Sequence, residues 1–174
     1  MVSVLVGYAT AHGSTREIAD RIADRLAADD VKVELRPMTD VRAVEGYDAV
    51  VLGSAVHDQR WLPEAAAFAD RLRSELVAKP LWAFSVGMPG ALARPLRSLG
   101  MREEAKIRAA DVEPLGPRDH RLFTGVVRPE HFPRFGRLVL RLMGGRFGDF
   151  RDWAAIDRWT DEIAAALHDD KVGP

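Results

Sequence analysis

Apolar residues along this chain follow two rhythms. Val2 to Gly7, Val31 to Leu35, Ala49 to Gly53, Leu81 to Val86 and Leu122 to Val127 are short runs rich in Val, Leu and Phe, several of them nearly continuous. Continuous runs of that length are what strands buried on both faces require, so five strands are predicted. Between them the apolar spacing changes to four. Ile18, Ile22 and Leu26 recur in this way, as do Phe68, Leu72 and Leu76, while Trp153, Ile156, Trp159, Ile163 and Leu167 mark a last helix. These stripes predict amphipathic helices facing a sheet, with a weaker helix over Arg102–Ala110. Parallel neighbours need a long crossover, which helices of this size supply. The predicted class is α/β, a doubly wound five-stranded parallel sheet with helices on both faces.

Composition narrows what such a sheet can do. The chain has 174 residues, 47% of them hydrophobic, and carries a formal net charge of -1. No linker or fixed-period repeat divides it, so one domain over residues 1–174 is expected. No apolar stretch approaches the roughly 18 residues of a membrane-spanning helix, and Val2 to Val6 is too short for a signal segment. The cytoplasm is the expected location. There is no cysteine, which excludes thiol redox chemistry, disulfides and thiolate metal sites. A redox function must come from a cofactor. No two histidines stand at the spacing of a helical metal pair, so no metal site is expected. The near-neutral charge and sparse aromatic interleaving argue against nucleic-acid binding.

Ligands of doubly wound sheets sit beyond the carboxyl ends of the strands. After the first strand there is no GxGxxG and no GxxxxGK[ST], so the usual dinucleotide and nucleoside-triphosphate loops are missing. The stretch YATAHGSTREIA at residues 8–19 stands there instead. Thr10, Ala11, His12, Gly13, Ser14 and Thr15 offer three hydroxyls, a glycine that lets backbone approach closely, and the free amides of a helix start, which together can cradle a phosphate. Ser14 and Glu17 also have the S-x-x-E form of a capping box, in which the helix satisfies its own amides without any ligand. Both readings are open on pattern alone.

The run from Thr10 to Thr15 after Tyr8 resembles the phosphate loop of the flavodoxin-like family, and VLGSAVHDQRWLPEAAAF from Val51 to Phe68 is similar to that family's second flavin loop. The chain from Leu122 onward, LFTGVVRPEHFPRFGRLVLRLMGGRFGDFRDWAAIDRWTDEIA, is similar to the menaquinone-dependent protoporphyrinogen oxidase branch, with a fifth strand, an inserted helical segment over residues 128–150 and a final helix. The resemblance implies strand order 2-1-3-4-5 and FMN as cofactor. By motif, Thr10, Ala11, His12, Gly13, Ser14 and Thr15 would hold the phosphate. Ser54, Ala55, Val56 and His57 would line one side of the flavin, and Ser85, Val86, Gly87 and Met88 the other. Trp61 is either an edge or stacking contact to the ring or a plain hydrophobic anchor. Relatives commonly place an aromatic residue and a glycine where this chain has His57, Asp58 and Gln59.

Within the insert, Phe132, Phe135, Leu138, Val139, Leu142 and Met143 fall at helical spacing, with Arg134, Arg137 and Arg141 on another face. Such a basic amphipathic helix suits an anionic membrane surface or a flat apolar substrate whose carboxylates arginine can grip. It equally suits packing on its own domain or on a second copy of the chain. Gly144, Gly145 and Gly148 read as a mobile turn, and Arg94 and Arg97 either border the expected substrate opening or are plain surface residues. Dedicated electron carriers of this fold are typically acidic, so near-neutral charge favours an enzyme over a shuttle. The resemblance implies an FMN-dependent oxidoreductase acting on a tetrapyrrole in heme biosynthesis, with a quinone or another electron acceptor as partner and a peripheral membrane contact as an option. The alternatives are a flavodoxin-type electron-transfer protein with no small-molecule substrate, and a flavin-free binding module.

Overall fold

The computed structural model describes residues 1–88, 106–131, 133–142 and 144–172. Five parallel strands form the sheet: β1 (Ser3–Ala9), β2 (Lys32–Pro37), β3 (Ala49–His57), β5 (Leu81–Gly87) and β6 (Asp119–Thr124), in the order β2-β1-β3-β5-β6. The short strand β4 (Arg60–Trp61) folds back antiparallel on β3. Counting the parallel strands alone, this is the expected 2-1-3-4-5 arrangement. The fifth strand starts three residues earlier than the apolar run suggested and stops at Thr124. Val126–Val127 belongs instead to a separate two-stranded ribbon, β7 (Val126–Val127) with β8 (Gly148–Asp149).

Side chains of a strand alternate between faces, and here both faces are covered. Val4, Val6 and Tyr8 of β1 pack with Ile18, Ile22 and Leu26 of α1 (Ser14–Ala28) and with Ile156, Trp159 and Ile163 of α5 (Trp153–Val172). Leu5 and Ala9 point the other way, into a second cluster with Phe68 of α2 (Pro63–Arg71), Leu76 of α3 (Arg73–Val77), Ile107 and Val112. The helix expected over Arg102–Ala110 falls partly outside the described residues; the chain is helical at Lys106 and tightens into a π-helical turn at Arg108–Val112. Arg94 and Arg97 lie outside the described residues, as do Phe132 and Met143. At the sheet centre, a Cβ on Gly53 would sit 1.9 Å from Phe84 Cζ. Only glycine lets that ring lie across β3, where it meets Trp159 edge-on with centroids 6.1 Å apart.

A polar network lies under the carboxyl end of the sheet. Trp61 Nε1 donates to Ser85 Oγ at 2.8 Å, and Ser85 Oγ pairs with His120 Nε2 at 2.9 Å. All three residues are buried, and His120 Nδ1 has no hydrogen-bond partner among the described residues. Burial first, then the positive charge of Arg108, pushes the His120 pKa down to about 4.

That depression ties stability to pH. The unfolded chain's histidine takes up its proton near pH ~6.5 while the folded one resists until about pH 4, so acid favours the unfolded state throughout that interval. The contribution is intact above pH ~6.5 and declines below it, by roughly 2 kcal/mol at pH ~5. Urea unfolding at both pH values should therefore show a smaller acid loss for His120→Gln than for wild type. Equal losses would remove His120 as the cause.

Candidate functional site

Strand order reverses between β1 and β3, and a cavity of about 490 Å³ opens there beyond the strands' carboxyl ends, within the range of small-ligand sites. Three loops and the insert form it. Ala11, His12 and Ser14 come from the β1–α1 loop, Ala55 to Gln59 from the β3–β4 hairpin, and Val86, Gly87 and Met88 from the end of β5. Gly125, Val126, His131 and Pro133 close the remaining side.

The first turn of α1 is not capped by its own side chains. Gly13 at the N-cap takes φ +94°, a left-handed conformation that favours glycine, and no side chain caps the helix. The hydroxyl of Thr10 instead accepts the Gly13 amide at 3.0 Å, which folds the loop back on itself. The first helical bond runs from the Glu17 amide to the Gly13 carbonyl at 3.1 Å, so the amides of Ser14, Thr15 and Arg16 precede the helical ladder. Glu17 does not complete the capping box. Its carboxylate accepts from Arg151 Nη1, and Arg151 is held by Asp149 on β8 and lies over the Trp153 ring at 4.6 Å. The hydrogen bond to Asp149 and the pairing with Glu17 raise the Arg151 pKa, while Arg151 holds Asp149 below the usual carboxylate range. Thr15 is fully buried and, like Thr10 and Gly13, is not among the residues that line the cavity; its hydroxyl has no hydrogen-bond partner among the described residues, at a helix start that carries a positive partial charge.

Around the rest of the cavity, backbone and small apolar groups dominate. Asp58 (φ +49°) and Gln59 (φ +62°) make a tight two-residue turn with both residues left-handed, the geometry that hairpins of this length require. Lys106 Nζ holds the Gln59 side chain at 2.8 Å. Arg60 pairs with buried Asp111 at 2.7 Å, and Asp111 also accepts the Trp61 amide at 2.9 Å. These contacts anchor the hairpin from beneath. His57 and Asp58 are exposed at its tip and contact each other at 3.3 Å.

Several residues singled out in the sequence point elsewhere. Ser54 and Ser85 are fully buried; Ser54 Oγ accepts the Leu62 amide at 3.1 Å, and Ser85 belongs to the network with Trp61 and His120. The Trp61 side chain is in the core, 3% exposed, and does not line the cavity. Ala55, Val56, His57, Val86, Gly87 and Met88 do line it. Gly125, Val126, His131 and Pro133 went unnoticed as lining residues because no motif marks a segment that bends back over the site. At Gly125 the fold itself requires glycine: a side chain there would meet Ser14 Oγ at 2.9 Å and Val86 Cγ1 at 2.8 Å.

The insert's helix α4 (Arg134–Leu142) rises from Pro133 at the cavity rim. Phe135, Leu138 and Leu142 are exposed, at 76%, 55% and 78%, so these apolar side chains do not pack on the domain. Arg134 and Arg141 are also exposed, and Arg141 reaches over the Phe147 ring at 5.9 Å. Gly148, expected in a mobile turn, is paired in β8.

Comparison with known proteins agrees with this geometry. No curated protein matches the chain. Among solved structures it is similar to a flavodoxin from the domain Archaea, at 18% identity and TM-score 0.59, covering 96% of this chain and 99% of that one. It is also similar to rubredoxin oxygen:oxidoreductase from Desulfovibrio gigas, at 15% identity and TM-score 0.58, covering 98% of this chain but 37% of that longer one. Oxidised flavodoxin 2 from Bacillus cereus shares 26% identity at TM-score 0.51, over 71% of this chain and 85% of that one. The model of the flavodoxin domain matches residues 5–146. The chain therefore belongs to the flavodoxin-domain family, which implies FMN as its cofactor and electron transfer as its work.

Proposed function

We propose that this protein is an FMN-dependent oxidoreductase of the menaquinone-dependent protoporphyrinogen oxidase type, passing electrons from a small-molecule substrate, a tetrapyrrole in that branch, to a quinone. The open first turn of α1 carries the cofactor part of this reading. The free amides of Ser14, Thr15 and Arg16, the Ser14 hydroxyl and the orphan Thr15 hydroxyl match what a terminal phosphate takes: hydrogen-bond donors and a favourable dipole. Ala55, Val56, Val86, Gly87 and Met88 supply the apolar sides that a flat ring needs. When bound, FMN supplies the redox chemistry, and the protein's part is position and electrostatics. Of the rings along the described lining, all three are imidazoles, those of His12, His57 and His131. No large aromatic side chain stands among the described lining residues.

The acceptor part rests on α4. A helix that presents Phe135, Leu138 and Leu142 to solvent beside the cavity mouth, with Arg134 and Arg141 exposed next to them, has the makings of an interfacial helix that lies on an anionic membrane, where quinones dissolve. No helix among the described residues is long and apolar enough to cross a membrane. Contact of this kind is peripheral. A carrier serving a protein partner would show rapid electron exchange with a reductase and no turnover of quinone or protoporphyrinogen.

Thr15→Val replaces the hydroxyl by a methyl of the same shape. Since the hydroxyl makes no bond in the fold, thermal stability of the apoprotein should hold or rise, while FMN affinity falls by about tenfold, the worth of one hydrogen bond to a charged group. Fluorescence titration of the apoprotein with FMN measures this; unchanged affinity rejects the phosphate assignment. For the helix, sedimentation with phosphatidylglycerol vesicles should capture the protein at low salt and release it at high salt. Leu138→Glu with Leu142→Glu should abolish capture, and neutralising Arg134 or Arg141 should weaken it roughly fivefold each. Capture that ignores both changes overturns the membrane contact.

A further inference from the structure

His131 was one of several scattered histidines in the sequence. In the fold it lies on a short 3-10 turn, Pro129–His131, and its ring stacks on that of His12 with centroids 3.9 Å apart and planes 7° from parallel. His12 belongs to the β1–α1 loop, so the stack joins the insert to the loop that opens α1. Both rings line the same cavity as Ser14. We propose that His131, stacked on His12, is a second imidazole of the phosphate end of this cavity, by which the segment after β7 closes on a phosphate-bearing flavin. The proposal rests on the FMN reading above.

The physical argument concerns charge. Two imidazolium rings at 3.9 Å repel by about 1 kcal/mol even with the dielectric of water, so without an anion the stack disfavours the charged form of His131. The groups facing it agree with this. Partial burial, then His12, then Arg128 lower the His131 pKa, and Glu130 opposes them weakly. Arg128 is itself near Asp149, and His57 with Asp58 stand along the same cavity wall. The Arg128 amide donates to His131 Nδ1 at a long 3.4 Å, which leaves the ring hydrogen of the neutral form on Nε2. A phosphate dianion beside the stack reverses the balance at His131, because an anion favours the charged form of that ring. Phosphate binding then takes up a proton, and by linkage affinity rises as pH falls. The effect is read above the phosphate's own second ionisation, near pH ~6.

The test is fluorescence titration of the apoprotein with FMN and with riboflavin at about pH 8 and about pH 6.5, for wild type and His131→Gln, with circular dichroism as the check on folding. FMN should bind wild type at least about threefold more tightly at the lower pH, and riboflavin equally at both. His131→Gln should lose most of that pH dependence, weakening FMN at pH ~6.5 while leaving riboflavin unchanged. A purely structural stack would instead weaken both flavins alike at both pH values, and that result overturns the proposal, as does an undiminished pH dependence in the variant. FMN binding that persists without pH dependence overturns this inference and leaves the cofactor reading standing. Absence of FMN binding to wild type at either pH overturns both.

Discussion

A helix start that its own side chains leave unfilled is the condition on which the rest of this molecule depends. Filling it would be simple, since Ser14 and Glu17 stand at the spacing of a capping box and a cap stabilises a helix by about 1 kcal/mol. The fold forgoes that gain because Gly13, not Ser14, takes the N-cap position, and because Glu17 is drawn away by Arg151, which is in turn fixed by Asp149 and Trp153. A further cost, on the order of 1–3 kcal/mol, attaches to the Thr15 hydroxyl buried without a partner. Under the proposed phosphate assignment, both terms would be recovered when an anion docks, which would couple ligand binding and fold stability at one turn.

The turn matters because of where the chain places it. β1 lies between β2 and β3, and the chain leaves β1 toward one face of the sheet and β3 toward the other. The loops after these strands diverge and leave a crevice between them. Glycines then set how closely its walls approach. Gly53 admits the Phe84 ring beneath the sheet's end, and Gly125 admits Ser14 against β5 and the ribbon. The walls are otherwise tied to the core through buried polar contacts, with Asp111 holding the base of the β3–β4 hairpin and Ser85 holding Trp61. A crevice lined by backbone and small side chains but braced from below can keep its shape without a ligand.

How much of this was legible in the sequence depended on whether the signal was local. The apolar runs and four-residue spacings specified the strands, the helices around them and the α/β class, because burial on both faces imposes those periods on Val4, Leu5 and Val6 or on Ile18, Ile22 and Leu26. The residues of the first turn of α1 were also legible, since hydroxyls and glycine at a strand-to-helix junction are a local pattern. The choice between cap and anion site was not. That the capping box does not form rests on Gly13 taking the N-cap position and on Arg151, some 134 positions from Glu17, drawing its carboxylate away, and no window along the chain contains that ion pair. The directions of Ser54, Ser85 and Trp61 were hidden for a related reason: a residue at the end of a strand can face the site or the core, and His120 and Leu62, which settle the matter here, come from other segments. Asp58 and Gln59 carry no glycine to announce their turn, so β4 went unseen. The two-residue strands of the β7–β8 ribbon are too short for periodicity to register at all.

The insert joins these constraints. It leaves the domain at β7 and returns at β8, and Arg151 just beyond β8 binds Glu17 of α1, so the same residue that uncovers the first turn also anchors the segment carrying α4. Burying a Phe or Leu side chain fully is worth about 1.5–3 kcal/mol, and Phe135, Leu138 and Leu142 leave most of that unrealised in the free protein. An anionic surface can supply the burial while the arginines meet its charge. The formal net charge of -1 makes this workable: a strongly acidic chain would be repelled over roughly a Debye length, about 8–10 Å, before its arginines could make contact. On the proposed membrane contact, near-neutrality would remove the barrier to approach, and the exposed Arg134 and Arg141 would fix which side of the molecule, the one bearing the cavity mouth, meets the surface.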